Sequence, residues 1–454
     1  MALGVIVGWT AFAFGGVYPR TIVPAAIGCV VLALTCRPSI LQGSPTRRID
    51  LWAIVTIAAM LLQTIPLPRA IVDAIDPASE AIGRALSLVE RGGPLPLSID
   101  VSSTLAAVLV FGGAWIFFVT ARAIFRHGGV RTFTRMIAVL GLLLSALALA
   151  QSATAHGLMY WRWHPLTEGP EPFGPFVNRN HFATWALMAI PLLAGYLIAH
   201  ATAHEGPDRT APWRQRLAAA MDARAWLLIA STTMLIVALV ASLSRSGLIG
   251  LAGAFACAAF LALNVSASST AGRSAPRRGR AAALMAVLGA FVILAVSTQV
   301  GPKAVAARFG ASRVGIADRI AIWHDTLPVV RDFWLTGTGA GTYLTSMAVY
   351  QRSSPGVIFN QAHNHYLQVA AEGGLLIGLP VLFALAAFAR AALANLAADR
   401  TGMYWIRAGA AAGLFGVAVQ SLWETGLTIP ANAALAAVLA AIVIDAPGRA
   451  GAHA

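Results

Sequence analysis

The stretch AWLLIASTTMLIVALVASLSRSGLIGLAGAFACAAFLALN, residues 225–264, consists of two apolar runs separated by a few residues around Arg245. Each run is about 20 residues long, the length of helix that crosses the hydrocarbon core of a bilayer. We therefore predict two membrane-spanning helices, at 225–243 and 247–264, joined by a very short turn. How often this pattern recurs along the chain decides the fold class.

Apolar stretches of this kind recur from the first residues to about residue 446. Of the 454 residues, 58% are hydrophobic and 11% are charged, and the mean hydropathy is +0.73, whereas roughly 25% of residues are charged in a soluble domain. We predict an all-α polytopic membrane protein, one integral membrane domain over 1–454, with about 12 transmembrane helices. The first is expected to be a retained helix and not a signal peptide, because no basic segment precedes it. The predicted spans are 2–18, 21–36, 51–67, 104–121, 136–155, 182–200, 225–243, 247–264, 281–299, 366–388, 408–423 and 430–446.

The net charge of +14 is distributed unevenly between the two predicted faces of the membrane. Loops on one side carry most of the arginines and few acids, which marks that side as cytoplasmic, together with both termini. The excess charge is therefore mainly a topology signal, and it gives no support for nucleic-acid binding. The arginines on this side are Arg37, Arg47, Arg48, Arg122, Arg126, Arg131, Arg135, Arg209, Arg214, Arg216, Arg224, Arg273, Arg277, Arg278, Arg280, Arg390, Arg400, Arg407 and Arg449.

Two loops on the opposite, noncytoplasmic side are long. Residues 68–103 have apolar residues at helical spacing and are expected to lie along the membrane interface. Residues 300–365 form a large loop with a helix-like run and a glycine-rich turn, GTGAG, at 337–341. The sequence shows no P-loop, CxxC pair, HExxH or GxSxG. The large loop collects the unusual residues of the chain, which are Lys303, Arg308, Arg313, Arg319, His324, Arg331, Arg352, His363 and His365.

Four patterns on the noncytoplasmic side are candidates for chemistry. GPFVNRNHFATW at 174–185 is either a helix N-cap with an interfacial arginine or a cationic, amide-rich rim for an anionic ligand. Arg245 either extends to the interface or binds phosphate oxygens with its planar guanidinium. Arg319 lies on a helix-like run whose acids, including Asp325, can equally form a solvated surface. Last, two histidines flank Asn364, and histidine can accept a proton from a hydroxyl at neutral pH.

These patterns resemble the O-antigen ligase and polymerase family, in the order which that family shows. The resemblance covers most of the chain, and its order and spacing are more specific than any single motif. The motifs are PLPLSID (94–100), GPFVNRNHFA (174–183), SLSRSG (242–247), DRIAIWHDTLPVVRDFWLTGTGAGTY (318–343), HNHYLQVAAEGGLLIGL (363–379) and QSLWETGLTIPANAALAAVLAAI (420–442).

The resemblance implies a GT-C-like, inverting glycosyltransferase of the bacterial inner membrane, active on the periplasmic face without a metal or other cofactor. Its donor is a glycan on undecaprenyl pyrophosphate. Its acceptor is lipid A-core in ligases, or a second lipid-linked glycan in polymerases. By resemblance His363 and Arg245 are catalytic, and membrane lipids are the remaining partners. The residues expected to bind substrate are Arg179, Arg319, Asn178, Asn180, Asn364 and His365.

Three alternatives stay open at this point. Ligases are also described by a histidine followed eight residues later by glycine, which fits His365 with Gly373, whereas His363 fits the family's HN-x-YL pattern better. Ligase and polymerase share their donor and similar residues. A transporter or flippase of lipid-linked sugars would instead spread charges through the spans and contain broken helices.

Overall fold

The apolar runs fold into helices, because a helix satisfies its own backbone hydrogen bonds where no water is present. The computed structural model describes residues 1–43, 46–86, 93–166, 171–203, 221–267, 319–353 and 359–445. Within these ranges there is no β-strand, only isolated bridges such as that between Leu67 and Leu95. The helices are α1 (Ala2–Phe12), α2 (Pro19–Cys36), α3 (Thr46–Leu62), α4 (Arg69–Ile75), α5 (Ser79–Leu86), α6 (Val101–Phe125), α7 (Val130–Thr154), α8 (Arg179–Ala203), α9 (Ala223–Ala241), α10 (Arg245–Ala267), α11 (319–332), α12 (Tyr343–Tyr350), α13 (His365–Ala398), α14 (Met403–Gln420) and α15 (Pro430–Ile444).

Seven of the described helices are long and apolar enough to cross a membrane: α2, α6, α7, α8, α9, α10 and α13. Two further apolar helices, α1 and α15, are shorter, and α3 and α14 have 17 and 18 residues. Each of these helices lies on a predicted span, so the described residues are compatible with the predicted all-helical, polytopic class. The predicted span at 281–299 lies outside the described residues, as do Lys303, Arg308 and Arg313, and the count of twelve stays a prediction.

Both long loops contain short helices. Helices α4 and α5 lie in the loop at 68–103, and α11 and α12 lie in the described part of the loop at 300–365. Asp100 ends the first loop by capping α6, where its carboxylate accepts hydrogen bonds from the backbone N–H groups of Ser102 and Ser103. Such a cap stabilises a helix start by about 1 kcal/mol.

Helix α8 lies at the centre of the protein and packs against α9, α10 and α14. It is buried around almost its whole circumference between His181 and Tyr196. Glycines bring its backbone against that of α14, because a Cβ atom at Gly195 would lie 2.2 Å from the carbonyl oxygen of Trp405. Small residues at such crossings allow the close van der Waals packing that associates helices in lipid. This close packing fixes the position of α8 and therefore the position of its first residues.

The two ends of the bundle carry different polar groups. Arg122 at the end of α6 forms a buried ion pair with Asp50 at the start of α3, with 2.7 Å between Nη2 and Oδ2. Arg407, near the start of α14, pairs with the buried Asp399. These pairs lie at the end that charge distribution predicts to be cytoplasmic. The histidines and arginines of the candidate site lie at the opposite end.

Helix α13 is broken at Gly374, which has φ 50° and ψ −149°. The backbone groups released by the break bond to the segment that contains the glycine-rich turn: the N–H of Leu375 donates to Trp334 O at 2.9 Å, and that of Thr338 donates to Ala371 O at 3.0 Å. The Glu372 carboxylate completes the junction by accepting from the Gly341 N–H at 3.0 Å. Irregular backbone within a predicted membrane span is tolerated here because other protein groups satisfy its hydrogen bonds.

Candidate active site

His363 lies in the turn that leads into α13, with its backbone in the left-handed region at φ 48°. The turn is held on both sides: Trp323 of α11 donates from Nε1 to Ala362 O at 2.9 Å, and the N–H of His365 donates to Ser421 O at 2.9 Å. A strained backbone at a polar residue is a frequent feature of functional sites. The side chain of His363 is 29% exposed, so a substrate can reach it.

Glu424 is the carboxylate that His363 contacts. It lies in the short connection between α14 and α15, and its side chain is only 1% exposed. His363 Nδ1 lies 3.4 Å from Glu424 Oε1, Asn180 Nδ2 donates to Oε2 at 2.6 Å, and the Thr425 N–H donates to Oε1 at 3.2 Å. Three donors from three parts of the chain therefore converge on one buried acid.

The charges around Glu424 keep it ionised. Burial by itself raises the pKa of this carboxyl, but the hydrogen bond of His363 and its charge when the ring is protonated, with smaller contributions from His181 and Arg319, lower it to about 2. Arg319 Nη2 lies 3.8 Å from Glu424 Oε2. An ionised carboxylate only accepts hydrogen bonds, so the contact between His363 Nδ1 and Glu424 Oε1 is a hydrogen bond when Nδ1 has the proton. In the neutral tautomer with this proton, Nε2 is free to accept another.

Arg319 lies at the beginning of the described part of α11 and is held there by the anchoring of that helix. Asp325 is buried and accepts hydrogen bonds from the backbone N–H groups of Arg352 and Ser353, at 3.0 and 2.8 Å. It is therefore a structural carboxylate and not part of a solvated surface. Arg331, by contrast, is 79% exposed and pairs with its neighbour Asp332. Of these two arginines on α11, only Arg319 approaches the histidine.

Asn180 links the acid to the turn that precedes α10. Its Oδ1 accepts from the Ser244 hydroxyl at 2.8 Å, and Ser244 is 1% exposed. Leu243, in the same turn, has φ 57°. Arg245 is the first residue of α10, and its side chain is exposed. The structure thus places this arginine one residue from a serine that is hydrogen-bonded to the Glu424 cluster.

The other predicted substrate-binding residues have more local contacts. Asn178 caps α8, because its Oδ1 accepts from the Asn180 N–H at 2.8 Å. Arg179 lies at the same helix start and pairs with Glu171, which is 69% exposed. Asn364 caps α13 by accepting from the Leu367 N–H at 3.1 Å. Each of these side chains stabilises the backbone next to the cluster without itself contacting Glu424 in the described structure.

The two histidines have different surroundings. His363 contacts Glu424, whereas the Nδ1 atom of His365 is buried and has no hydrogen-bond partner among the residues that the structure describes. His365 belongs to the first turn of α13, and its backbone bonds to Ser421. The contact with Glu424 therefore favours His363 over His365 as the catalytic histidine.

A comparison with protein-family models matches residues 230–383 to the family described as O-Antigen ligase. The match to this O-antigen ligase domain supports the assignment to the O-antigen ligase and polymerase family. The resemblance predicted from the motifs is confirmed, and the O-antigen ligase domain includes Arg245, Arg319 and His363. No curated protein matches the chain. Across the described ranges, no three His, Cys, Asp or Glu side chains are grouped so as to hold a metal ion.

Sequence reasoning missed Glu424 as a site residue. It lies 61 residues beyond His363 in the chain and outside the O-antigen ligase domain, so no local spacing connects the two. Its signal was a lone acid in QSLWETG, between two predicted spans on the same face as the histidine. A lone charged residue directly at the end of a predicted span is costly if it is buried without a partner, and this was the signal that the sequence offered.

Proposed function

We propose that this protein is a glycosyltransferase at the periplasmic face of a bacterial inner membrane. It moves a glycan from undecaprenyl pyrophosphate to an acceptor hydroxyl, and its acceptor is lipid A-core, as in an O-antigen ligase. The observation that supports this most is the contact of His363 with the buried Glu424, beside Arg319 and next to the turn of Arg245. This cluster combines a proton acceptor with cations at one end of a membrane bundle.

In the proposed reaction, His363 Nε2 removes the proton from the acceptor hydroxyl. The oxygen attacks the anomeric carbon of the donor, and the bond from that carbon to the pyrophosphate oxygen breaks. The leaving pyrophosphate takes the electron pair, and the anomeric centre is inverted because the displacement is direct. Glu424 holds the Nδ1–H of His363 and stabilises the imidazolium that forms. General-base catalysis of this kind contributes about 100-fold to 10,000-fold in rate.

The arginines act on the leaving group. Negative charge grows on the pyrophosphate as its bond breaks, and preorganised cations stabilise that charge most strongly in a site shielded from water. Guanidinium groups also match phosphate oxygens in geometry. We assign this role to Arg245 and Arg319, with Arg179 at the rim. In this scheme the arginines supply the positive charge, so no metal or nucleotide cofactor takes part.

The break in α13 does not by itself favour a transporter. Transporters present the ends of broken helices to a substrate cavity. Here backbone groups at the break bond to the 334–341 segment, as Leu376 N–H does to Leu335 O at 2.9 Å. The polar residues of the site lie at one face of the bundle, which fits chemistry at the membrane surface.

The test uses the purified full-length protein with a glycan on undecaprenyl pyrophosphate as donor. Lipid A-core and a second molecule of the lipid-linked glycan are offered as acceptors in parallel reactions. We expect transfer to lipid A-core, and we expect it to fall at least about 100-fold in His363→Ala and in Arg245→Ala. A smaller loss is expected in His365→Ala, because that ring does not contact the carboxylate.

Arg331→Gln is the matched control, since this arginine is exposed on α11 and pairs only with Asp332 and should keep full activity. Elongation of the lipid-linked glycan without transfer to lipid A-core would identify a polymerase. Normal transfer by both His363→Ala and Arg245→Ala would show that the cluster is not the active site.

A further inference from the structure

A cationic cavity lies at the other end of α8 from His363. Its volume is about 200 Å³, and a second cavity of about 350 Å³ adjoins it, because both are lined by Arg131, Ala199 and Ala203. The 25 residues of α8, at about 1.5 Å each, place it roughly 37 Å from the candidate active site. Arginines from α7, α9 and the connection between α13 and α14 line the two cavities: Arg131, Arg135, Arg224 and Arg400.

The acids beside these cavities form ion pairs and hydrogen bonds with other groups. Asp399 pairs with Arg407 and also accepts from the N–H of Thr401 at 2.8 Å. Asp222 caps α9 by accepting from the backbone N–H groups of that helix, and its Oδ1 lies 3.0 Å from His200 Nε2. Neither carboxylate forms an ion pair with the arginines that line the cavities, and Asp399 itself lines the larger one.

The arginines themselves lack an acidic partner in the described parts of the chain. No carboxylate of those parts forms an ion pair with Arg131, Arg135, Arg224 or Arg400. Arg131 and Arg135 begin α7 one helical turn apart and therefore share one face of it. The two adjoining cavities together form one recess, which these four guanidinium groups line. Such a recess is suited to bind an anion.

We propose that this recess binds the phosphate group of an anionic phospholipid. The guanidinium groups match the phosphate oxygens, while Tyr196, Ala199 and Trp405 provide apolar walls for the glycerol and the first carbons of the acyl chains. The recess lies at the ends of α7, α8 and α9 that the charge distribution predicts to be cytoplasmic. Basic pockets between helices on the cytoplasmic side are suited to anionic headgroups.

This site differs from the general attraction of arginines to a membrane surface. Scattered interfacial arginines set topology and attract anionic lipids without a fixed stoichiometry. A recess with apolar walls and converging cations instead retains one lipid and prefers anionic over zwitterionic headgroups. The proposal does not depend on the transferase reaction, because the recess is remote from His363.

Native mass spectrometry of the full-length protein tests the proposal, with phosphatidylglycerol, phosphatidylethanolamine or phosphatidylcholine added in detergent. We expect one phosphatidylglycerol to stay bound at collision energies that strip the other lipids. Its retention should fall at least about tenfold in Arg131→Gln/Arg135→Gln, because two charge-assisted hydrogen-bond donors are lost. The single variant Arg224→Gln should show a smaller loss in the same direction.

The matched control is Arg47→Gln/Arg48→Gln, two exposed arginines at the start of α3 on the same predicted side. This pair should retain the lipid as the unmodified protein does. Equal retention in all variants, or equal retention of phosphatidylcholine, overturns the proposal. In a parallel arm, inorganic phosphate is added as competitor: if it displaces phosphatidylglycerol at equal concentration, the recess binds soluble phosphate and the lipid assignment is wrong.

Discussion

Replacing Glu424 by glutamine tests the proposed histidine–carboxylate pair most directly. The change keeps the size of the side chain but removes its charge and one of its two acceptor oxygens. Three N–H donors point at Glu424, from Asn180 at 2.6 Å, Thr425 at 3.2 Å and His363 at 3.4 Å. A glutamine amide has one oxygen and an NH₂ group that donates, so it cannot accept from all three.

The strongest donor decides how the glutamine is oriented. Asn180 cannot reverse its amide cheaply, because its Oδ1 already accepts from the Ser244 hydroxyl at 2.8 Å. The glutamine oxygen therefore stays opposite Asn180, and its NH₂ group faces His363. The imidazole adapts by accepting at Nδ1, which places its proton on Nε2. In this tautomer His363 can no longer remove a proton from the acceptor.

The expected loss in the transfer rate is that of a general base, about 100-fold to 10,000-fold. This corresponds to about 3 to 5 kcal/mol in the activation free energy. Initial rates of transfer from the undecaprenyl-pyrophosphate donor measure it, and kcat should fall while KM changes little. Asp332→Asn is the matched control, because Asp332 lies on α11 and accepts from Tyr350 Oη at 2.9 Å without touching the cluster.

A double variant separates an action through His363 from an independent one. If Glu424 acts only through the histidine, His363→Ala/Glu424→Gln is no slower than His363→Ala by itself. The reasoning is refuted if Glu424→Gln keeps transfer within about fivefold of the unmodified protein, less than the smallest effect expected of a general base. The reasoning is equally refuted if the double variant loses transfer activity by the product of the losses in the two single variants.

Two further predictions follow from contacts already described. Arg319→Gln should slow transfer about 100-fold, since it removes a cation that lies 3.8 Å from Glu424 and to which we assign stabilisation of the leaving group. Arg331→Gln on the same helix should change the rate less than about threefold. Gly195→Ala should lower the melting temperature in detergent by the equivalent of about 1 to 3 kcal/mol, because its Cβ would lie 2.2 Å from a backbone oxygen of α14. Gly378→Ala on α13 is its control, since no atom lies within 4 Å of the added Cβ, and an unchanged melting temperature in both variants would contradict the packing argument.

The broken helix shows why part of the fold was readable from sequence and part was not. GTGAG at 337–341 was predicted to be a turn, because glycine accepts positive φ values, and Gly337, Gly339 and Gly341 have them. The place where this turn inserts is the break in α13, which hydropathy does not indicate because the apolar run continues across it. The break depends on the partner backbone that satisfies it.

The sequence by itself determined the membrane class, the positions of the described helices and a short set of polar candidates near one face. Hydropathy and helix length are local properties, so they can be read without knowing what each helix contacts. Only the tertiary structure decided that His363 meets Glu424 while His365 does not, and that Asn180 joins this pair to the turn of Arg245. These contacts depend on how α8, α10, α13 and α14 pack. That packing arises from many weak contacts between residues far apart in the chain.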